Sequence, residues 1–201
     1  MTEEEWLTGN DPGSMLKLLE GKASERKLRL YAVGCWRVVL PFYGRWSREA
    51  VEIAESFADG NGTREDLLRA WQQTRNLPRT VARYVAFYAA RSINGYSDQC
   101  AAQAHRSGAI PHVNFPIDTT FLRDIFGNPF RPVAADPAWL TPTAVSLAAA
   151  IYEDRAFDRL PVLADALEEA GCTNAAVLLH CRQPSEHVRG CWVVDLVLGK
   201  A

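Results

Sequence analysis

No stretch of the 201-residue chain approaches the roughly 18 uninterrupted apolar residues of a membrane-spanning helix, so a transmembrane protein is not expected. Equally absent are a GxSxG elbow, a GxxxxGK phosphate loop, an HExxH pair and a GxGxxG turn after a strand. Their absence removes the usual support for hydrolase, nucleotide-binding and zinc-protease chemistry. CxxC spacing is missing as well, and with it the commonest signature of a structural zinc site. Net charge is scarce at -2, and the halves on either side of residue 100 are each near neutral, which leaves no global field to attract a polyanion. No alternating pattern announces paired strands.

What is present is ordinary globular material. The chain is 48% hydrophobic and 23% charged, and long enough to bury about two-thirds of its unfolded surface without a disulfide framework. Its five cysteines, at 35, 100, 172, 181 and 191, are read as small buried hydrophobes in a reducing compartment. The opening "MTEEEWLTGNDPG" is acidic and lacks an apolar core, so a cytoplasmic address is expected.

Helix punctuation recurs along the whole chain. Thr2 and Glu5 form a capping box ahead of Trp6, and Pro12 with Ser14 opens a second helix carrying Met15, Leu18 and Leu19. Ser24 caps a helix on which Leu28, Tyr31, Ala32, Cys35, Trp36 and Val39 repeat; Pro41 and Gly44 end it. Ser47 starts the next, with Ala50, Val51, Ala54 and Phe57 facing inward.

Asp59, Asn61 and Thr63 alternate like calcium ligands, but a calcium loop beginning at Asp59 needs glycine sixth and glutamate twelfth, where this chain has Arg64 and Ala70. The segment reads instead as a turn in which Thr63 caps the helix of Leu67, Leu68 and Trp71. A long helical stretch follows from Pro78, bearing Arg79, Arg83 and Arg91 beyond Arg75. These arginines are read as a solvated face, with a phosphate-binding ridge as the sharper alternative.

Residues 107–118 are irregular and proline-containing. They separate two candidate lobes, 1–106 and 119–201, of one helical domain. In the second lobe "TTFLRDIF" predicts a short helix, and the four-proline loop after it needs somewhere to bury Phe126, Phe130 and Trp139. A helix follows Thr143; another places Leu160, Leu163, Ala164 and Leu167 at i, i+3, i+4 and i+7 and closes at Gly171. The terminal "RGCWVVDLVLG" is rich enough in valine to suggest a strand, but with no pairing partner it is read as helix.

The segments "LRDIFGNPFRPV", "DPAWL", "AIYEDRAFDRLPVLADALEEAGC" and "HCRQPSEHVRGCWVVDLVLGK" resemble an uncharacterised family of small bacterial helical proteins that occurs as many paralogues in large genomes. "AIYEDRAFDRLPVLADALEEAG" is also similar to the repeat-companion domain found beside leucine-rich repeats, with Ala166 where that domain's "ADWLEE" signature has tryptophan. The resemblance implies an accessory or adaptor module and supplies no catalytic residue.

"HCRQPSEHVRGCW" concentrates the chemistry of the chain. Cys172, His180, Cys181, His187 and Cys191 could all converge on one end of a helical hairpin. Four of them, with Cys172, Cys181, His187 and Cys191 as the set singled out, could surround a tetrahedral zinc ion there, His187 and Cys191 lying one turn apart if both are helical. The preferred reading is that these residues fill the core, with a histidine capping carbonyls or meeting a carboxylate. Thiol catalysis would pair Cys100 with His105 or His112, or Cys191 with His187, on sequence proximity alone. Interleaved Arg155 and Arg159 make Glu153, Asp154 and Asp158 an ion-paired surface rather than a metal site. "FGNPFRP" sets Phe126, Phe130 and Arg131 in a restricted loop, either as gap-filling anchors or as a preorganised partner contact.

These features predict an all-α protein, an irregular multi-helix bundle or short solenoid-like stack of eight to ten helices. The expected function is a non-enzymatic protein-interaction or adaptor module with no cofactor. A zinc-stabilised domain or metalloenzyme is the alternative, and weak nucleic-acid binding through the arginine face the third reading.

Overall fold

A computed structural model describes residues 1–39, 45–75 and 117–200 of the chain, and all regular structure among them is helical. The α-helices are α1 (Glu3–Thr8), α2 (Pro12–Leu19), α3 (Glu25–Val39), α4 (Arg45–Ala58), α5 (Arg64–Arg75), α6 (Ile117–Phe126), α7 (Pro142–Asp154), α8 (Leu160–Glu169), α9 (Ala175–Arg182) and α10 (Trp192–Leu198). Single 3-10 turns occupy Pro137–Trp139 and Phe157–Arg159. The all-α expectation holds, and the valine-rich terminus is helix. No helix among the described residues is long and apolar enough to cross a membrane. The stretch from Pro78, with Arg79, Arg83 and Arg91, lies outside the described residues, as do Cys100, His105, His112 and positions 107–116.

The chain divides into two compact units, Met1–Leu122 and Arg123–Ala201. In the first, local chemistry sets the helix starts. Thr2 and Glu5 close the expected capping box, with Glu5 N–H donating to Thr2 Oγ1 at 3.2 Å and Thr2 N–H to Glu5 Oε2 at 2.7 Å. Asp11 caps α2, its side chain accepting from Gly13 N–H, and Pro12 stands in the first turn. The fourth helix begins at Arg45, two residues ahead of Ser47.

Helix α4 packs against both α3 and α5, and its buried Ala50, Val51 and Ala54 are small enough to let them approach. Arg37 of α3 grips Glu55 of α4 through two hydrogen bonds of 3.2 and 2.6 Å. Asp59 of the calcium-like segment is engaged by Arg26 at 3.3 Å, and Thr63 and Asp66 cap α5 reciprocally.

In the second unit α7 and α9 each pack against both α8 and α10, so four short helices close around one core. Leu160, Leu163, Ala164 and Leu167 form the buried stripe of α8, and Ile151, Tyr152, Val177, Val193 and Val194 meet it from the other helices. Val133 and Trp139 of the proline-rich loop pack against this core, whereas Phe130 stays exposed, contrary to the expectation that all three aromatics there are buried.

The N-cap of α7 is Thr141, not Thr143. Its hydroxyl accepts from Ala144 N–H at 3.2 Å, and Pro142 takes the first helical position, where no amide donor is needed. Thr141→Ala is expected to cost about 1 kcal/mol in urea unfolding, and Thr141→Ser to recover most of it. No loss in the alanine variant would remove the hydroxyl from this role.

Candidate metal centre

Four donor side chains converge within the second unit. They come from the last turn of α6 (Asp124), from α9 (His180), from the loop after α9 (His187) and from the residue preceding α10 (Cys191). One donor atom from each lies within 4.8 Å of all the others.

Each element delivers its residue for a local reason. Asp124 sits on the same helical face as Phe121 and Ile125, so its carboxylate is carried inward with the apolar stripe. His180 and Cys181 are neighbours on α9 and point about 100° apart. Cys181 enters the core, while His180 turns toward Asp124 and Cys191. The loop carrying His187 is held by Arg189, whose guanidinium donates to the carbonyls of Tyr152 and Glu153 at 3.2 Å each, at the end of α7.

Asp124 is the hub. Its Oδ1 lies 2.6 Å from His187 Nδ1 and 3.1 Å from His180 Nε2, while Oδ2 accepts from Val188 N–H at 2.9 Å. His180 Nε2 is also 3.3 Å from Cys191 Sγ. On its far side, His187 Nε2 lies 3.1 Å from Ser185 Oγ.

The group is deeply placed. The side chains of Asp124 and His187 are 3% and 4% exposed, that of His180 is 15% exposed, and Cys191 is wholly buried. The indole of Trp192 covers one flank, its centroid 5.3 Å from that of His180. Trp192 in turn lies against Gly127, whose left-handed φ of +61° and missing side chain permit the approach.

Burial alone would push the Asp124 pKa up, but hydrogen bonds from His180 and His187 outweigh it, and the net shift is downward. Burial also dominates at Cys191, raising its thiol well above the usual value, with the Asp124 charge acting in the same sense. Cys191 makes no capping hydrogen bond, yet the amides of Val194 and Val193 favour its ionised form. Such a thiol is a poor free nucleophile.

The geometry also argues against a relay from Cys191 through His180, whereas Ser185 Oγ and Asp124 Oδ1 face opposite nitrogens of His187. A relay uses opposite ring nitrogens, one for the nucleophile and one for the carboxylate. Here Asp124 and Cys191 both face Nε2 of His180, an arrangement that points donors at one place rather than passing a proton along a line.

Of the five residues grouped from the sequence, His180, His187 and Cys191 come together; Cys172 and Cys181, the other members of the zinc quartet, do not. Cys172 and Cys181 lie in the apolar core, where burial, followed by the neighbouring Cys172, pushes the Cys181 thiol up to about 12. Their places are taken by His180 and Asp124. His187 and Cys191 do not share a helical face, because both precede α10.

Of the loop candidates, Phe126 is half-buried at the end of α6, while Phe130 is 40% exposed and Arg131 is exposed. Asn128 fixes this turn by accepting from Phe130 N–H through its side chain at 3.0 Å and from Arg131 N–H through its carbonyl at 3.1 Å. Glu153 pairs with Arg189 at 3.5 Å, from outside its own charged run. Comparison of the chain with protein-family models, curated proteins and solved structures gives no match.

Proposed function

We propose that the carboxyl-terminal unit is a metal-clamped helical module, in which a divalent transition-metal ion at Asp124, His180, His187 and Cys191 serves as a cross-link rather than as a reaction centre. The observation that carries this reading is the convergence of four ligand atoms of suitable type from four separate chain positions. An ion held there ties α6, α9, the following loop and the start of α10 together. Structural sites are closed by four protein ligands, whereas catalytic ones keep a position for water or substrate. The depth of three of the donors favours the closed type.

Function then falls to the exterior, in keeping with a non-enzymatic cytoplasmic adaptor. The turn presenting Phe130 and Arg131 is linked to the centre through the contact of Gly127 with Trp192, so the clamp would also steady that surface for a protein partner.

The test is metal analysis of full-length protein purified without a histidine tag, with unfolding followed before and after chelation. About one ion per chain is expected, together with a midpoint that falls on chelation and recovers on adding the metal. Protein that is metal-free and indifferent to added zinc, cobalt or nickel would overturn the proposal.

A further inference from the structure

The donor set and its surroundings define which ion and which coordination the centre is built for. The inference rests on the metal-clamp reading above and goes on to the identity of the ion. Hard cations such as calcium and magnesium take six or more oxygen ligands, and this group offers one carboxylate. Two imidazoles, a thiolate and a carboxylate suit zinc in four-coordinate geometry.

Zinc bonds of about 2.0–2.3 Å place tetrahedral ligand atoms roughly 3.3–3.7 Å apart. The distances from His180 Nε2 to Asp124 Oδ1 and Cys191 Sγ are 3.1 and 3.3 Å. The separation of His187 Nδ1 from Asp124 Oδ1, at 2.6 Å, has to widen by roughly 0.7 Å to span an ion.

The outer contacts select the same atoms. Val188 N–H occupies Oδ2 of Asp124 and leaves Oδ1, the oxygen facing both histidines, as a single ligand. Ser185 Oγ stands at Nε2 of His187, where it accepts the proton that an Nδ1-bound imidazole carries. Binding residues in metal sites are oriented by this kind of outer contact.

We infer that the centre is a closed, four-coordinate zinc site with Asp124 Oδ1, His180 Nε2, His187 Nδ1 and Cys191 Sγ as ligands, and that Ser185 is its positioning residue. Water has no coordination position in it, and the ion exchanges only when a protein ligand moves away.

Cobalt(II) reports both geometry and sulfur ligation. Full-length, tag-free protein titrated with cobalt chloride should develop the intense visible bands of a four-coordinate ion and a near-ultraviolet thiolate-to-cobalt band, all removed by added zinc. Cys191→Ser should lose the thiolate band. Ser185→Ala, a change in an exposed loop that leaves all four ligands in place, should keep the cobalt spectrum while binding zinc about 10–100-fold more weakly in chelator competition.

A weak six-coordinate cobalt spectrum, or a thiolate band that survives in a folded Cys191→Ser protein, would overturn the closed site while leaving metal binding intact. If Cys191→Ser does not recover wild-type helix content, Ser185→Ala decides, and unchanged zinc affinity in it overturns the assignment. Failure of the wild-type protein to take up either ion overturns the metal clamp itself.

Discussion

Asp124→Ala should destabilise the carboxyl-terminal unit by about 3 kcal/mol even with no metal added, because the carboxylate is the common partner of three buried groups. Its removal leaves Val188 N–H without its acceptor and separates two imidazoles that are held beside each other, with ring centroids 5.0 Å apart. A buried donor left unsatisfied costs about 1–3 kcal/mol on its own. Asp124→Asn keeps the volume and an acceptor for Val188, so its loss should be smaller, about 1–2 kcal/mol. Neither variant should retain the stabilisation that added zinc gives the wild type.

The pH profile supplies a second readout. The Asp124 pKa is lower in the folded chain than its ordinary value, so its contribution to stability is complete above the usual carboxylate range and is lost as pH falls below that range through the lowered folded value. The acid limb of the wild-type stability curve should therefore flatten in Asp124→Ala. An alanine variant as stable as the wild type, with an unchanged acid limb, would mean that the carboxylate is a bystander.

The helices were readable because their signals are local. Thr2 with Glu5, and the i, i+3, i+4, i+7 stripe of α8, involve residues within two turns of one another, and the backbone obeys them in place. The same local logic misplaced the start of α7, where Thr141 and Thr143 flank a proline and both are acceptable caps; the fixed φ of Pro142 favours the earlier one.

The centre was only half legible, since it is assembled across distance. His187 and Cys191 stand out in a short run, but Asp124 is 56 residues from His180 in sequence. A signal for it existed: an acid in "FLRDIF" occupies the apolar face of its helix, and an acid there requires a buried partner. Residue type alone singles out Cys172 and Cys181, and type does not say which way a side chain turns. One residue along a helix separates the core-facing Cys181 from His180 at the centre.

The packing behind the centre predicts a second large effect. Gly127→Ala should cost about 2–3 kcal/mol, combining left-handed backbone strain of about 1 kcal/mol with the cost of crowding a rigid ring. A Cβ at this position would lie 3.1 Å from Trp192 Cγ and 3.2 Å from Cδ2, tighter than ordinary van der Waals contact. The indole cannot yield by rotating a flexible end. It must shift as a plate, and the face it would be driven along is the one that adjoins His180. Zinc affinity should therefore fall together with stability, although position 127 contributes no ligand. Gly127→Asn separates the two causes: asparagine tolerates the left-handed conformation better than alanine but carries the same Cβ, so only the strain is relieved. Equal losses in both variants assign the effect to Trp192, and a near wild-type asparagine variant assigns it to the backbone. Unaltered stability in Gly127→Ala would show that Trp192 is free to move, and would detach the Phe130–Arg131 turn from the clamp.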